Sequence, residues 1–280
     1  MHRRQLLQAI ASLPLLPLAK KTHAEGAALR LGIMPFNSTL ALFKTHQPLR
    51  EHLQNDLQRP VDLFTAADYF TFLNASLAGE YDLLITGPHF GVLCLRAGYQ
   101  PLVRYRAVLQ PVFVVRKGGD IHRLDDLRGR RIGLSSRLSI SSIGGVKWLL
   151  DNGLQMSRDY QLSERSTHGA AVAAVAVGEL DAALTTHTPL RQVPEDVRAK
   201  VDILPIEVRV PHLMTLAHQR LGNPAIALLR QSLNGFAATP AGSEFFRSTG
   251  YEGYAAISAD DIAALEPYVA LTRTLLGHAT

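Results

Sequence analysis

The sequence predicts an α/β protein of two lobes joined by a hinge of two extended segments. Three observations lead there. Strand patterns alternate with helix patterns after residue 28, the signature of strands joined by crossover helices. The pattern repeats after Gly87, as though a second unit were being built. Two long extended stretches, 101–118 and 201–219, lie where the chain would leave the first unit and return to it. The expected lobes are 25–113 with 212–280, and 114–211.

"LRLGIMP" (29–35) reads as a buried strand, and "STLALFKTHQPLREHLQNDL" (38–57) as a helix carrying Leu40, Phe43, Leu49 and Leu53 at near-helical spacing, with Pro48 expected to bend or restart it. "PVDLFTAA" is a second strand, "DYFTFLNASLAGE" a short helix starting near Asp68, and "YDLLITG" a third strand. In the second unit "DDLRGRRIGLS" leads into a serine cluster and a helix running to about Asn152. "YQLSERST" is a strand, "GAAVAAVAVGE" a helix of small residues and "LDAALTT" a strand. The last sixty residues read as helical.

Composition narrows the function classes. At 280 residues, 47% of them apolar, the chain is long enough for two lobes and a sizeable core. No run of about 18 apolar residues follows residue 24, so no membrane-spanning segment is expected in the body of the chain. Residues 1–24 combine a basic start, an apolar run from Leu6 to Ala19 and small or polar residues up to Ala24, the layout of an export signal. Pro14 and Pro17 argue against a buried helix there. Arg3 and Arg4 followed by Gln5-Leu6-Leu7, with Lys20 and Lys21 near the cleavage region, resemble a twin-arginine signal; the general export route stays open. Those residues hold four of the 29 basic side chains and no acid, which leaves 25 basic against 24 acidic residues and no nucleic-acid footprint. Cys94 is the only cysteine. That excludes an intramolecular disulfide, a cysteine-rich metal site and a lipid-anchored cysteine near the signal. The expected location is free in the periplasm.

The stretch "RRIGLSSRLSISSIGGVKWLL" (130–150) places hydroxyls where a strand turns into a helix. A serine nucleophile wants Gly-x-Ser-x-Gly, and no frame of Ser139, Ser141 or Ser142 supplies it. A nucleotide phosphate loop wants Gly-Lys followed by Ser or Thr, but Lys147 follows Val146, one turn inside the helix. No His-Glu-x-x-His spacing occurs, so neither an enzyme, a cofactor nor a metal site is expected. A helix start flanked by hydroxyls is instead a ready anion site, because its first N–H groups lack acceptors and the peptide dipoles place positive potential there. Ser139, Ser141 and Ser142 are the candidate donors, with Gly144 allowing close packing of the helix; capping is the alternative role for any one of them. His168 stands at a second strand-to-helix junction, where a protonated ring would pair with an anion and a neutral one would donate a single hydrogen bond.

The runs "HQPLREHLQNDLQRPVDLFTAADYFTFLNASLAGEYDLLITGPHFGVL" (46–93), "DDLRGRRIGL" and "THGAAVAAVAVGELDAAL" (167–184) resemble the phosphonate/phosphite-binding family of ABC-transporter periplasmic proteins, in the same order over nearly the whole chain. The resemblance implies a type II periplasmic-binding-protein clamshell. Its ligand would be a small oxyanion: phosphonate, phosphite or phosphate-like. Its partner would be a membrane permease, and the binding protein itself a monomer. The family's serine-threonine cluster falls on Ser139 to Ser142, with Ile140 in place of the middle hydroxyl, and the family histidine falls on His168. Loops Pro35 to Ser38 and Thr86 to His89 would supply the opposite wall, giving Phe36, Asn37, Thr86 and His89 as further candidates, with Phe90 as an alternative to His89. Leu213, Thr185, Thr186 and His187 stand where some relatives carry acids for a cationic ligand group. A competing implication is a periplasmic sensor subunit for a membrane histidine kinase, which would read arsenite through Cys94; the helical spacing of Cys94 from Phe90 favours a core position instead.

Overall fold

The computed structural model describes residues 27–277; the expected export signal lies outside the described residues. Two sheets organise the chain. The first is ordered β13-β4-β12-β3-β1-β2 and the second β10-β6-β9-β7-β8. In the first, β1 (Leu29–Ile33) pairs in parallel with β2 (Val61–Phe64) and β3 (Leu83–Thr86), and antiparallel strands β12 (Met214–His218), β4 (Tyr99–Tyr105) and β13 (Tyr254–Ala255) extend the sheet. The second repeats the plan: β7 (Arg130–Leu134) is parallel to β8 (Tyr160–Glu164) and β9 (Ala182–Thr186), and β6 (Pro111–Arg116) and β10 (Val201–Pro205) are added antiparallel. The expectation of parallel strands thus holds for three strands in each sheet. β12 and β6, the strands that follow a crossing between sheets, run the other way, since each enters from the opposite end; β4 and β10 pair antiparallel with them and so run in the direction of the parallel set.

The crossings are the hinge. Between β4 and β6 the chain forms β5 (Val108–Leu109), and between β10 and β12 it forms β11 (Val210–Pro211). These two short strands pair antiparallel, Leu109 opposite Val210, and Gln110 Nε2 donates to the Ile206 carbonyl at 2.9 Å. Two lobes are therefore tied by two adjacent extended segments.

The helices form where the sequence offers caps and apolar faces. α1 (Thr39–Leu57) starts at Ser38, whose hydroxyl accepts from Ala41 N–H, and α2 (Tyr69–Leu77) at Asp68, which accepts from Thr71 N–H. α3 spans Pro88–Arg96, α4 Ile140–Asp151 and α5 His168–Ala176. α6 (His187–Arg191) and α7 (Glu195–Arg198) are short; α8 (Asn223–Ala237), α9 (Pro240–Thr249) and α10 (Ala259–Gly277) close the chain.

Two expectations for α1 are corrected. The helix runs unbroken through Pro48, because Lys44, whose carbonyl loses its helical partner, lies exposed to water while Leu42, His46, Leu49 and Leu53 are buried. Leu40 is 80% exposed, so the buried stripe is offset from the expected one. In α4 the glycine needed for close approach is Gly145 rather than Gly144: a β-carbon on Gly145 would lie 2.4 Å from Leu184 Cδ2 of β9, whereas one on Gly144 would meet Val208 at 3.2 Å.

Candidate functional site

The carboxyl ends of the parallel strands of both sheets face one cleft, the place where open α/β sheets hold ligands. β1 leads to Met34 and Phe36, and β7 to the serine turn. β8 leads to His168 and β9 to Thr186 and Thr188. These residues, with Tyr69, Leu109, Ile140, Pro189, His212, Leu213 and Tyr251, line a cavity of about 30 Å³. A single water needs about 10–15 Å³ on the same measure. The space suits a small tetrahedral anion and excludes a long substituent.

The serine wall is a capped helix start. Ser139 is the N-cap of α4; its Oγ accepts from Ser142 N–H at 3.1 Å and lies 2.9 Å from Ser141 Oγ and 2.7 Å from Ser142 Oγ. All three hydroxyls are buried. An oxygen with two lone pairs that already takes one N–H can accept from only one of its two hydroxyl neighbours, so the Ser139 proton goes to the other. Run in the order Ser142 to Ser139 to Ser141, the chain would leave the Ser141 proton free for an acceptor in the cavity. The N–H groups of Ile140 and Ser141 have no acceptor within the helix, and both residues line the cavity.

On the adjoining wall His168 is the first residue of α5, with Thr167 as N-cap. Its Nε2 stands 3.1 Å from Ser135 Oγ and 3.5 Å from the Tyr69 hydroxyl. Burial lowers its pKa from 6.5 to about 4. The Leu184 backbone offsets a little of this, although Nδ1 makes no hydrogen bond of good geometry. Near pH 7 burial favours the neutral ring, the alternative of the two that offers a single hydrogen bond. His212 is held neutral in the same way, at about 3, by burial and by the charge of Arg104. No Lys, Arg, Asp or Glu lines the cavity. It can bind an anion only through neutral donors and helix-start dipoles.

Of the expected site residues, Phe36, Ser139, Ser141 and His168 come together at this cavity. Ser142 faces away, into a nearly apolar groove of about 190 Å³ between α4 and α10 lined by Ile143, Val146, Leu271 and Leu275 among others, and reaches the cleft only through Ser139. That groove is larger than the cleft; Arg137 and Lys147 stand on its lining, but each is already paired with a carboxylate, Glu164 and Asp151, and the rest of the lining is mostly aliphatic. Thr86 is buried at the end of β3 with its hydroxyl unpaired, outside the cavity lining. His89 and Asn37 bridge the lobes rather than line the cavity: His89 Nε2 donates to the Leu138 carbonyl at 2.8 Å, and Asn37 Nδ2 to Gln192 Oε1 at 2.6 Å. Phe90 is wholly buried in the core. Tyr69, Thr188, His212 and Tyr251 were missed from the sequence. Thr188 and His212 each adjoin a flagged departure, but Tyr69 and Tyr251 carry no local signal beyond the cap at Asp68 and the turn at Gly250.

Cys94 is buried on α3, and burial pushes its thiol up to about 12. A thiol so protonated and enclosed is no ligand for arsenite, so the sensing alternative loses its residue. Among the described residues no group of three or more His, Cys, Asp or Glu side chains is placed to hold a metal, and no helix is long and apolar enough to cross a membrane.

Comparison with known proteins agrees with this geometry. The family model described as the phosphonate ABC-transporter periplasmic substrate-binding protein matches residues 31–262. Among solved structures, PhnD1 from Prochlorococcus marinus in complex with methylphosphonate superposes with a TM-score of 0.77 at 15% identity, over 86% of this chain and 96% of that one. A binding-protein component of an ABC phosphonate transporter from Pseudomonas aeruginosa gives 0.72 at 14%, over 90% and 98%. The chloride-bound protein XAC2383 from Xanthomonas citri gives 0.71 at 18%, over 90% and 100%. At such identities the structures speak for the fold, a two-lobed α/β clamshell. The match of the family model over most of the chain settles the rest: this chain belongs to the phosphonate-binding periplasmic substrate-binding proteins of ABC transporters.

Proposed function

We propose that the chain captures a small oxyanion, a phosphonate with no more than a short neutral substituent, phosphite or phosphate, between its lobes and delivers it to a membrane permease without catalysing a reaction on it. The observation that carries this reading is the start of α4, where N–H groups and the Ser141 hydroxyl open onto a small cavity that holds neutral donors and no charged side chain. Such a site favours negative charge and gives an ammonium group nothing to pair with. We divide the lobes as the sequence reading does, but place the first crossing at 106–110, because β6 pairs only with strands of the second sheet. The ligand contacts are Ser139, Ser141, His168 and Phe36, with Tyr69 and Thr188. Ser142, Thr86, His89 and Asn37 support them from behind or hold the lobes together. The protein acts as a monomer, free in the periplasm after export through its first 24 residues by the twin-arginine route.

A thermal-shift screen of oxyanions tests the reading. A ligand at about 100 times its dissociation constant adds about 2.7 kcal/mol of stability. Methylphosphonate, phosphite or phosphate should stabilise the protein, and 2-aminoethylphosphonate should do so far less. Stabilisation by the amine alone, or by none of the four, would refute the ligand class.

A further inference from the structure

His212 makes two hydrogen bonds that together fix its tautomer. It sits on the returning crossing between β11 and β12, and its Nδ1 accepts the Leu213 N–H at 2.8 Å. A nitrogen that accepts an N–H carries no proton of its own, so in the neutral ring the single proton is on Nε2. Nε2 stands 3.2 Å from Thr188 Oγ1, near the start of α6 in the second lobe. The ring plane is held from two sides by Tyr251 and Tyr105, whose centroids lie 5.1 and 5.7 Å away in edge-on contact. His212 is 2% exposed.

The consequence falls on Thr188. Its Oγ1 receives the histidine proton, and among the described residues this is the only hydrogen bond its side chain makes. The hydroxyl therefore keeps its own proton free, and that residue lines the cavity. Without the histidine the same hydroxyl could turn to accept as readily as to donate.

We infer that His212 is a positioning residue that turns Thr188 into a one-way donor, so that the second-lobe wall of the cleft reads an ionised ligand oxygen and disfavours a hydrogen-bearing group at that point. The inference rests on the oxyanion reading above. It assigns the α6 end of that wall a specificity role carried by residues outside the family's serine cluster.

Two measurements on the purified protein test it. In the first, ¹⁵N-histidine NMR of the ligand-free protein should show His212 with a protonated Nε2 and an unprotonated Nδ1; the opposite tautomer or an imidazolium at neutral pH overturns the inference. In the second, methylphosphonate affinity is measured by calorimetry across a mutant cycle. Thr188→Val should weaken binding about ten-fold and Thr188→Ser should restore it to within about three-fold. His212→Asn, whose Oδ1 can still accept the Leu213 N–H, should weaken binding about three- to ten-fold. The double variant His212→Asn, Thr188→Val should bind as Thr188→Val does, because the histidine acts only through the hydroxyl. Losses that multiply, or a His212→Asn protein with full affinity, overturn the positioning role. If the unsubstituted protein shows the expected tautomer but binds none of methylphosphonate, phosphite and phosphate, the oxyanion reading fails and the role of Thr188 falls with it.

Discussion

Ser139 and Ser141 lie two residues apart at the same helix start, yet their removal should produce different results. Ser141→Ala deletes the terminal donor of the hydroxyl chain and leaves the cap intact, since Ser139 Oγ still accepts the Ser142 N–H at 3.1 Å. Loss of a hydrogen bond to a charged ligand corresponds to about 1.5–3 kcal/mol, or about ten- to a hundred-fold in affinity. Ligand-free stability should stay within about 0.5 kcal/mol. Ser139→Ala removes the cap as well as the relay. The lost cap lowers stability by about 1 kcal/mol, a shift of about 4–8 °C in a lobe of this size, and affinity falls too because Ser141 loses the neighbour that orients it. Ser142→Ala, from the apolar groove side, should change affinity least. The assay is paired: calorimetry with methylphosphonate and thermal melts of the ligand-free proteins. Full affinity in Ser141→Ala, or a Ser141→Ala protein destabilised as much as Ser139→Ala, would refute the assignment of cap and donor.

Further outcomes follow from burial and from the contacts across the cleft. His46, His89, His168 and His212 are buried with pKa values lowered to about 4, 4, 4 and 3, in each case first by desolvation. Each native-state value lies below the unfolded 6.5, so the unfolded state binds more protons below that pH; stability is complete above about 6.5 and is lost as pH falls toward 4, at up to about 1.4 kcal/mol per unit for each ring. Urea melts at pH 7.5 and 5 should show this, and equal midpoints would contradict it. Gly145→Ala should destabilise by about 1–3 kcal/mol through its clash with Leu184, measured by thermal melts, and Gly144→Ala by less. Gln192→Ala removes the partner of Asn37 across the cleft and should shift the lobes toward opening, weakening methylphosphonate binding about two- to ten-fold with little change in melting temperature; unaltered affinity would show that this bond does not hold the closed form.

Much of the fold was legible because local signals decide local structure. The alternation of strand and helix patterns, the helix starts near Asp68 and at the serine cluster and the small-residue composition of α5 are properties of short windows. The reversed direction of β6 and β12 was not legible, since it depends on which sheet each strand joins after a crossing. The continuity of α1 through Pro48 was hidden for a related reason: burial of Leu42, Leu49 and Leu53 outweighs one lost helical bond. The serine wall and His168 could be located from residue type and from the strand-to-helix junctions. Their protonation and hydrogen-bond directions could not, because a histidine's charge depends on burial, and burial is tertiary. Tyr69, Thr188, His212 and Tyr251 reach one cavity from four distant parts of the chain, and no spacing in the sequence connects them.

The most direct test is a crystal structure of the protein grown with methylphosphonate. The anion should lie between the lobes, its oxygens within about 3 Å of the Ile140 and Ser141 N–H groups and of Ser141 Oγ, with no charged side chain in contact and His89 bonded to Leu138. A ligand found outside this cleft, or held there by an arginine, lysine or protonated histidine, would contradict it.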